Sequence, residues 1–188
     1  MSHLSALPSR AVVALAGAPG SGKSTLAEAL VARIPGAVLL PMDGFHLDNA
    51  ILDARGLRAR KGAPETFDAE GFVTLVQRLA QGGEVVFPIF DRARDLAVAG
   101  AGVIARDTPL VVVEGNYLLL NRAPWTAARY NLTLFLDRPQ PVLAARLTAR
   151  WQSYGKEAEA IASHLKNDLA NAALVAGGSR PADIVLRG

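Results

Sequence analysis

Short apolar runs rich in valine, isoleucine and leucine alternate along this 188-residue chain with longer stretches of helical period. That alternation predicts an α/β fold: a doubly wound, mainly parallel sheet with helices on both faces and a small helical lid. Two further observations support it. A glycine-rich loop joins the first strand to the first helix, and Leu110–Val113 is fully apolar and Leu132–Leu136 apolar but for Thr133, as expected of strands buried on both faces.

Ala11 to Ala16 reads as the first strand. Beyond the loop, Leu26, Ala27, Leu30, Val31 and Ile34 share one face of a helix that Pro35-Gly36 ends. Ala37 to Met42 reads as the second strand. The stretch from Asp43 to Pro64 is rich in Gly, Arg and Asp, with a short helix around Leu47 to Arg55, and reads as a functional insertion. Asp68 can cap a helix over Ala69 to Gln81 with the face Phe72, Val73, Leu75, Val76 and Leu79, stopped by Gly82-Gly83. Val85 to Phe87 and Gly102 to Ala105 read as short antiparallel or edge strands. Helices follow the two apolar strands over about Gln140 to Trp151 and about Glu157 to Val175, and a last strand runs from Asp183 to Leu186.

The length suits one well-buried domain over residues 1–188, with an acceptor-site insertion at about 43–68 and a lid at about 146–160. Hydrophobic residues make up 51% and charged ones 20%, as in ordinary globular proteins. The net charge of +3 is spread along the chain with no basic stripe, which speaks against a nucleic-acid partner and suits a pocket for phosphorylated ligands. With no cysteine, disulfides, thiolate metal sites and cysteine nucleophiles are excluded, and a cytoplasmic location is expected. Ala11 to Ala16 mimics the apolar part of a signal peptide, yet it runs for six residues and feeds the glycine-rich loop, so neither a leader nor a membrane span is expected. The sequence leaves a homodimer open.

Gly17-Ala18-Pro19-Gly20-Ser21-Gly22-Lys23-Ser24 has the spacing Gly-x4-Gly-Lys-Ser, between a predicted strand and a predicted helix. That is the context in which the pattern denotes a phosphate-binding loop. Glycines let successive backbone N–H groups face phosphate oxygens, and the helix adds its positive N-terminal end. Lys23 supplies a charge to the β- and γ-phosphates, Ser24 a hydroxyl to Mg2+, and Thr25 can reach the α-phosphate of bound ATP.

Such a loop alone does not separate kinases from motors and switches. Asp43 follows the second strand at the carboxyl edge of the sheet, where it could accept the proton of an acceptor hydroxyl or serve a turn with Gly44. Glu114 ends the strand begun at Leu110 and could bind Mg2+ or cap a turn with Gly115. Arg146 and Arg150 share one helix face and could close over the transferring phosphoryl group as a lid, or form a solvated face. His46, three residues after Asp43, could line the acceptor pocket, whereas His3 and His164 are expected at the surface. Trp125 and Trp151 are expected in the core, and Phe45, Phe67 and Phe90 flank the acceptor loops. Asp91, Arg92, Arg94 and Asp95 form a polar wall suited to a polyhydroxyl or phosphorylated acceptor.

With these residues in place, the chain resembles the P-loop kinase superfamily of uridine kinase, phosphoribulokinase and bacterial pantothenate kinase. The matching segments are GAPGSGKST from Gly17, MDGFH from Met42, RKGAPETFD from Arg60, FPIFDRARD from Phe87, VVVEGNYLLL from Val111 and ADIVL from Ala182. The resemblance implies a P-loop NTPase-type fold and a cytoplasmic small-molecule kinase using ATP and Mg2+. It implies Asp43 as catalytic base and possible metal contact, Glu114 and Ser24 as magnesium residues, and Lys23, Arg150 and Arg146 at the phosphates. The acceptor would meet Asp43, His46, Phe90, Asp91, Arg94 and Glu114.

Two departures narrow the acceptor. Uridine kinases carry a carboxylate where this chain has Gly62, and a histidine where it has Asp95, so a pyrimidine nucleoside is disfavoured. The segment Arg60 to Asp68 is closer to pantothenate kinases, which are considerably longer. The chain is most similar to short bacterial nucleoside/nucleotide kinase family proteins labelled as kinases of a fructose transport system, which implies a fructose-type sugar. A nucleoside or pantothenate-like acceptor is the alternative, and a non-catalytic nucleotide-binding regulatory module is the alternative of another class. A GTPase switch is disfavoured because none of the four lysines follows an asparagine, so the guanine-reading Asn-Lys-x-Asp segment is absent.

Overall fold

The structure is a computed structural model that describes residues 10–188, so the expectation for His3 lies outside the described residues. Strand β1 (Ala11–Gly17) lies at the centre of a five-stranded sheet. On one side it pairs with β5 (Leu110–Gly115), which pairs in turn with β2 (Ala37–Pro41). On the other it pairs with β6 (Leu132–Asp137), followed by β7 (Ile184–Arg187). The order is β2-β5-β1-β6-β7, and each pairing is parallel.

Every residue of β1 and β5 is buried, because helices cover both faces of the sheet. Alternate side chains supply two cores, as the period of two requires. Val12, Ala14, Ala16, Val111 and Val113 face α3 (Ala69–Ala80), α4 (Gln140–Ser153) and α5 (Ala158–Gly178). Ala11, Val13, Leu15, Leu110 and Val112 face α1 (Lys23–Arg33). Asp68 caps α3 by accepting from the Gly71 N–H at 2.9 Å, and all five apolar residues of its face are buried. Burying each such side chain is worth about 1.5–3 kcal/mol, enough to decide which face turns inward.

Among the elements whose bounds differ from those expected, β2, the insertion helix and the short strands after α3 shape the site. β2 stops at Pro41 and the chain turns through a short 3-10 segment over Met42–Phe45, so Asp43 sits on a turn beyond the strand. The insertion helix α2 covers Asn49–Ala54, capped by Asp48, which accepts from the Ala50 N–H. The expected short strands are the far ends of a longer hairpin, β3 (Val85–Asp91) with β4 (Leu96–Ile104). The pattern stops at Phe87 because Pro88 follows, and a proline cannot donate to a ladder. The hairpin accommodates it with a register shift between Phe87 and Ile89 and then resumes pairing to Asp91. Among the described residues no helix is long and apolar enough to cross a membrane.

Candidate active site

The parallel register brings the carboxyl ends of β1, β2 and β5 together: Glu114 lies opposite Leu15 on one side and Pro41 on the other. In an open α/β sheet this edge is where ligands sit. β1 delivers the loop Gly17–Gly22, and Lys23 opens α1. Gly20 and Gly22 have φ of 80° and 93°, in the left-handed region that only glycine enters without cost. Gly17 is needed for a different reason: a β-carbon there would stand 2.9 Å from Ser21 Oγ and 3.0 Å from the Leu136 carbonyl. Ala18 and Ser21 are buried in the turn, closed by the Ser21 N–H on the Ala18 carbonyl at 3.1 Å, while Thr25 is exposed.

Ser24 Oγ donates to Glu114 Oε1 at 3.3 Å. Glu114 is 5% exposed, and its Oε2 is buried with no partner. Burial above all, with the Asp43 charge, pushes its carboxyl above the ordinary range against the pull of Lys23 and Ser24. An orphaned carboxylate oxygen beside a hydroxyl is a donor set for a hard cation, so Ser24 and Glu114 fit Mg2+. Among the described residues no group of three His, Asp or Glu could hold a metal alone. The remaining ligands would have to be phosphate and water, as Mg2+ prefers.

Asp43 is presented by the turn after β2, and its side chain is 23% exposed. Its Oδ2 accepts from Arg92 Nη2 at 2.6 Å, so the carboxylate rests on a guanidinium rather than on the Ser24–Glu114 pair. Burial opposes its charged form, but His46, Arg92 and Lys23 outweigh that and hold it below the ordinary carboxylate value. His46 Nδ1 lies 2.8 Å from the Asp43 carbonyl, which can only accept, so Nδ1 carries the proton and Nε2 is left as an acceptor. Burial in first place pulls His46 below its ordinary value, and its ring packs between Phe67 and Phe90 at 4.0 and 4.7 Å.

A cavity of about 190 Å³ joins these groups, lined by Ser24, Asp43, Phe90, Arg92 and Glu114 among others. Of the residues expected at the acceptor, His46, Asp91 and Arg94 do not line it; His46 packs against Phe90, which does. Asp91 accepts from the Arg94 N–H at 3.0 Å and lies 3.9 Å from its guanidinium, an arrangement that closes the hairpin turn. Ile89 and Phe90 at the strand end and Arg92 in the turn line the cavity, while Asp91 is taken up by the turn itself. Arg92, which the sequence placed only in the polar wall, reaches Asp43 from the hairpin turn, a contact between elements that no local pattern marks.

Asp95, at φ 54°, pairs with Lys61 Nζ at 2.8 Å and accepts from Asn49 Nδ2 at 2.9 Å. Lys61 also donates to Asn49 Oδ1 and stands 5.1 Å from the Phe90 ring centre. Phe45 and Phe67 are buried, packed on Phe72, Tyr117 and Trp125, so Phe90 alone of the three expected phenylalanines lines the cavity. Gly62 has φ 99°, receives the Tyr117 hydroxyl on its carbonyl at 2.6 Å and donates its N–H to Thr66 Oγ1 at 2.9 Å.

The two helix α4 arginines part company. Arg146 Nη1 donates to the Ser21 carbonyl at 3.0 Å, directly behind the phosphate loop. Arg150 instead lies against Asp168 of α5 at 3.4 Å, and the same carboxylate oxygen accepts from Trp151 Nε1 at 2.8 Å. Trp151 is thus partly exposed on the lid rather than in the core, with His164 stacked on it at 4.1 Å.

A family model described as an AAA domain matches residues 12–175, the span that contains this loop, Asp43 and Glu114. The chain belongs to that family of P-loop kinase domains. It is 37% identical to the "Uncharacterized protein YggC" of Escherichia coli (strain K12) over 94% of this chain and 77% of that protein. It is 36% identical to the "Putative uridine kinase C227.14" of Schizosaccharomyces pombe over 95% of this chain and 83% of that protein. The crystal structure of a "putative fructose transport system kinase" from Silicibacter sp. TM1040 superposes with a TM-score of 0.90 at 45% identity, covering 96% of this chain and 91% of that one.

Proposed function

We propose that this P-loop kinase-family protein is an ATP-dependent phosphotransferase acting on a hydroxyl of a small polar metabolite, with a fructose-type sugar as the leading acceptor. The observation that carries the reading is the single cavity into which Ser24, Asp43 and Glu114 all open, at the sheet edge beside the phosphate loop. The 45% identity to the Silicibacter protein supports a sugar. The whole described chain serves this one catalytic domain, and the lack of cysteine suits the cytoplasm.

The loop amides and Lys23 would hold the ATP phosphates, and Ser24 with Glu114 would hold Mg2+, which would supply charge neutralisation at the phosphates. Asp43 orients the acceptor and takes its proton as the acceptor oxygen bonds to the γ-phosphorus and the bond to the ADP oxygen breaks. Phe90 forms the wall beside it, with His46 packed against that ring. Arg146 stays on the loop, and Arg150 reaches the transferring group by leaving Asp168.

A coupled ADP-release screen over sugars, sugar phosphates, nucleosides and pantothenate tests the reading. Asp43→Asn is expected to keep ATP affinity and to lose roughly 10²–10⁴-fold in turnover with the accepted substrate. Turnover like that of the native protein would remove Asp43 from the mechanism. If no member of the panel raises ADP release above the water background, the protein is not a kinase of this class.

A further inference from the structure

Within the cavity, Arg92 is the cation free to exchange partners. Lys61 is 15% exposed and locked by Asp95 and Asn49, while Lys23 belongs to the phosphate loop. Arg92 is 59% exposed, and among the described residues its guanidinium is bonded only to Asp43. The hairpin tip that carries it is itself anchored, since Lys61 and Asn49 both hold Asp95. A long side chain on a fixed base, with its head near solvent, can leave one carboxylate for another anion at little cost.

The bond to Asp43 stands in the way of the proposed reaction. The guanidinium holds Asp43 Oδ2, so an acceptor hydroxyl that is to use that oxygen has to displace it, while one on Oδ1 meets a carboxylate whose charge the guanidinium already offsets. A neutral hydroxyl competes poorly, because a charge-assisted guanidinium–carboxylate bond is about twice as strong as a neutral one. An acceptor carrying its own anion removes the obstacle: its anion takes the guanidinium while its hydroxyl takes the carboxylate. Resting on the reading of the site as an acceptor site, we infer that Arg92 is the specificity residue of this cavity. Among fructose-type sugars it therefore selects those that bear a carboxylate or phosphate beside the reacting hydroxyl, such as a sugar acid or a sugar phosphate, over the neutral sugar.

Binding rather than turnover tests this, so that it stands apart from the kinase reading. The phosphate loop is first filled with a non-hydrolysable ATP analogue and Mg2+, and calorimetry of that step reports on nucleotide binding alone. Glycerol, glycerate and glycerol 3-phosphate are then titrated. At least one of the two anions is expected to bind tenfold or more tightly than glycerol, the better one identifying carboxylate or phosphate as the preferred group. Arg92→Gln should bring that ratio to within about threefold. Asp43→Asn, which removes the internal competitor, should tighten anion binding, a gain that misfolding cannot mimic. In the double variant that gain should vanish, as coupling between two contacting residues requires. Equal binding of the three ligands, no binding of any, an anion preference that survives Arg92→Gln, or an Asp43→Asn gain that persists without Arg92 would each overturn the assignment.

Discussion

Gly44 is held to glycine by a neighbour on another element, since any β-carbon there would collide with the Pro88 carbonyl of β3. Gly44→Ala is expected to cost about 1–3 kcal/mol, as overpacking does. In a chain of this size that lowers the melting temperature by roughly 2–9 °C, and it would displace the adjacent Asp43. A scanning calorimetry trace with an unchanged midpoint would show that the turn yields freely. Gly62 carries a different constraint. In the sequence it was a missing carboxylate; in the structure its φ of 99° explains why a side chain is unwelcome. Gly62→Asp should therefore lose about 1–3 kcal/mol in denaturant unfolding and gain no uridine turnover. The loop glycines were legible because their spacing is a local property. Gly44 and Gly62 were not, because a clash across elements and a backbone angle leave no mark in residue order.

At the scale of elements, strands and helices with a strong period were legible almost to the residue, α3 most of all, whose five named apolar positions are its five buried ones. The hairpin was read too short because Pro88 ends any local pattern, although pairing resumes beyond it. Beside the parallel ladder that joins β6 and β7, one carboxylate adds side-chain bonds: Asp183 Oδ2 accepts from the Thr133 N–H at 2.8 Å and from Thr133 Oγ1 at 2.7 Å. Those bonds hold Asp183 below the ordinary carboxylate value. Its folded pKa being depressed, its contribution is present above the unfolded value near 3.8 and is lost as pH falls through the lower folded value. Asp183→Ala should cost on the order of 1 kcal/mol at pH 7, and urea titrations should find that difference shrinking below about pH 3.8. A difference independent of pH would assign the effect to something other than these bonds.

Across the whole molecule, the site is a product of strand order. β5 lies between β2 and β1, so Glu114 arrives beside both the phosphate loop and the Asp43 turn, although 71 positions of sequence separate the two acidic residues. Such convergence was legible in outline, since each acidic residue followed a predicted strand. The partners that complete the site, Arg92 for Asp43 and Asp168 for Arg150, were not, because they come from the hairpin and from α5. The same interdependence governs the loop Arg60–Asp68, which is tied to the strand β5 region by Tyr117 and to α5 by Asn167 on the Lys61 carbonyl. Tyr117→Phe leaves the Gly62 carbonyl without its partner and should cost about 1–3 kcal/mol in denaturant unfolding.

That loop has no regular secondary structure beyond single turns, yet its amides are engaged: Ala63 on Arg60, Thr66 on Ala63, and Asp68 on Phe45, with Ala63 and Thr66 wholly buried. Its N–H groups should therefore trade hydrogen for deuterium as slowly as those of β1, in hours where an ordinary surface loop takes seconds. An incoming metabolite would then meet a wall already set in shape, and discrimination between acceptors would follow from fit to that wall rather than from folding of the loop around each guest.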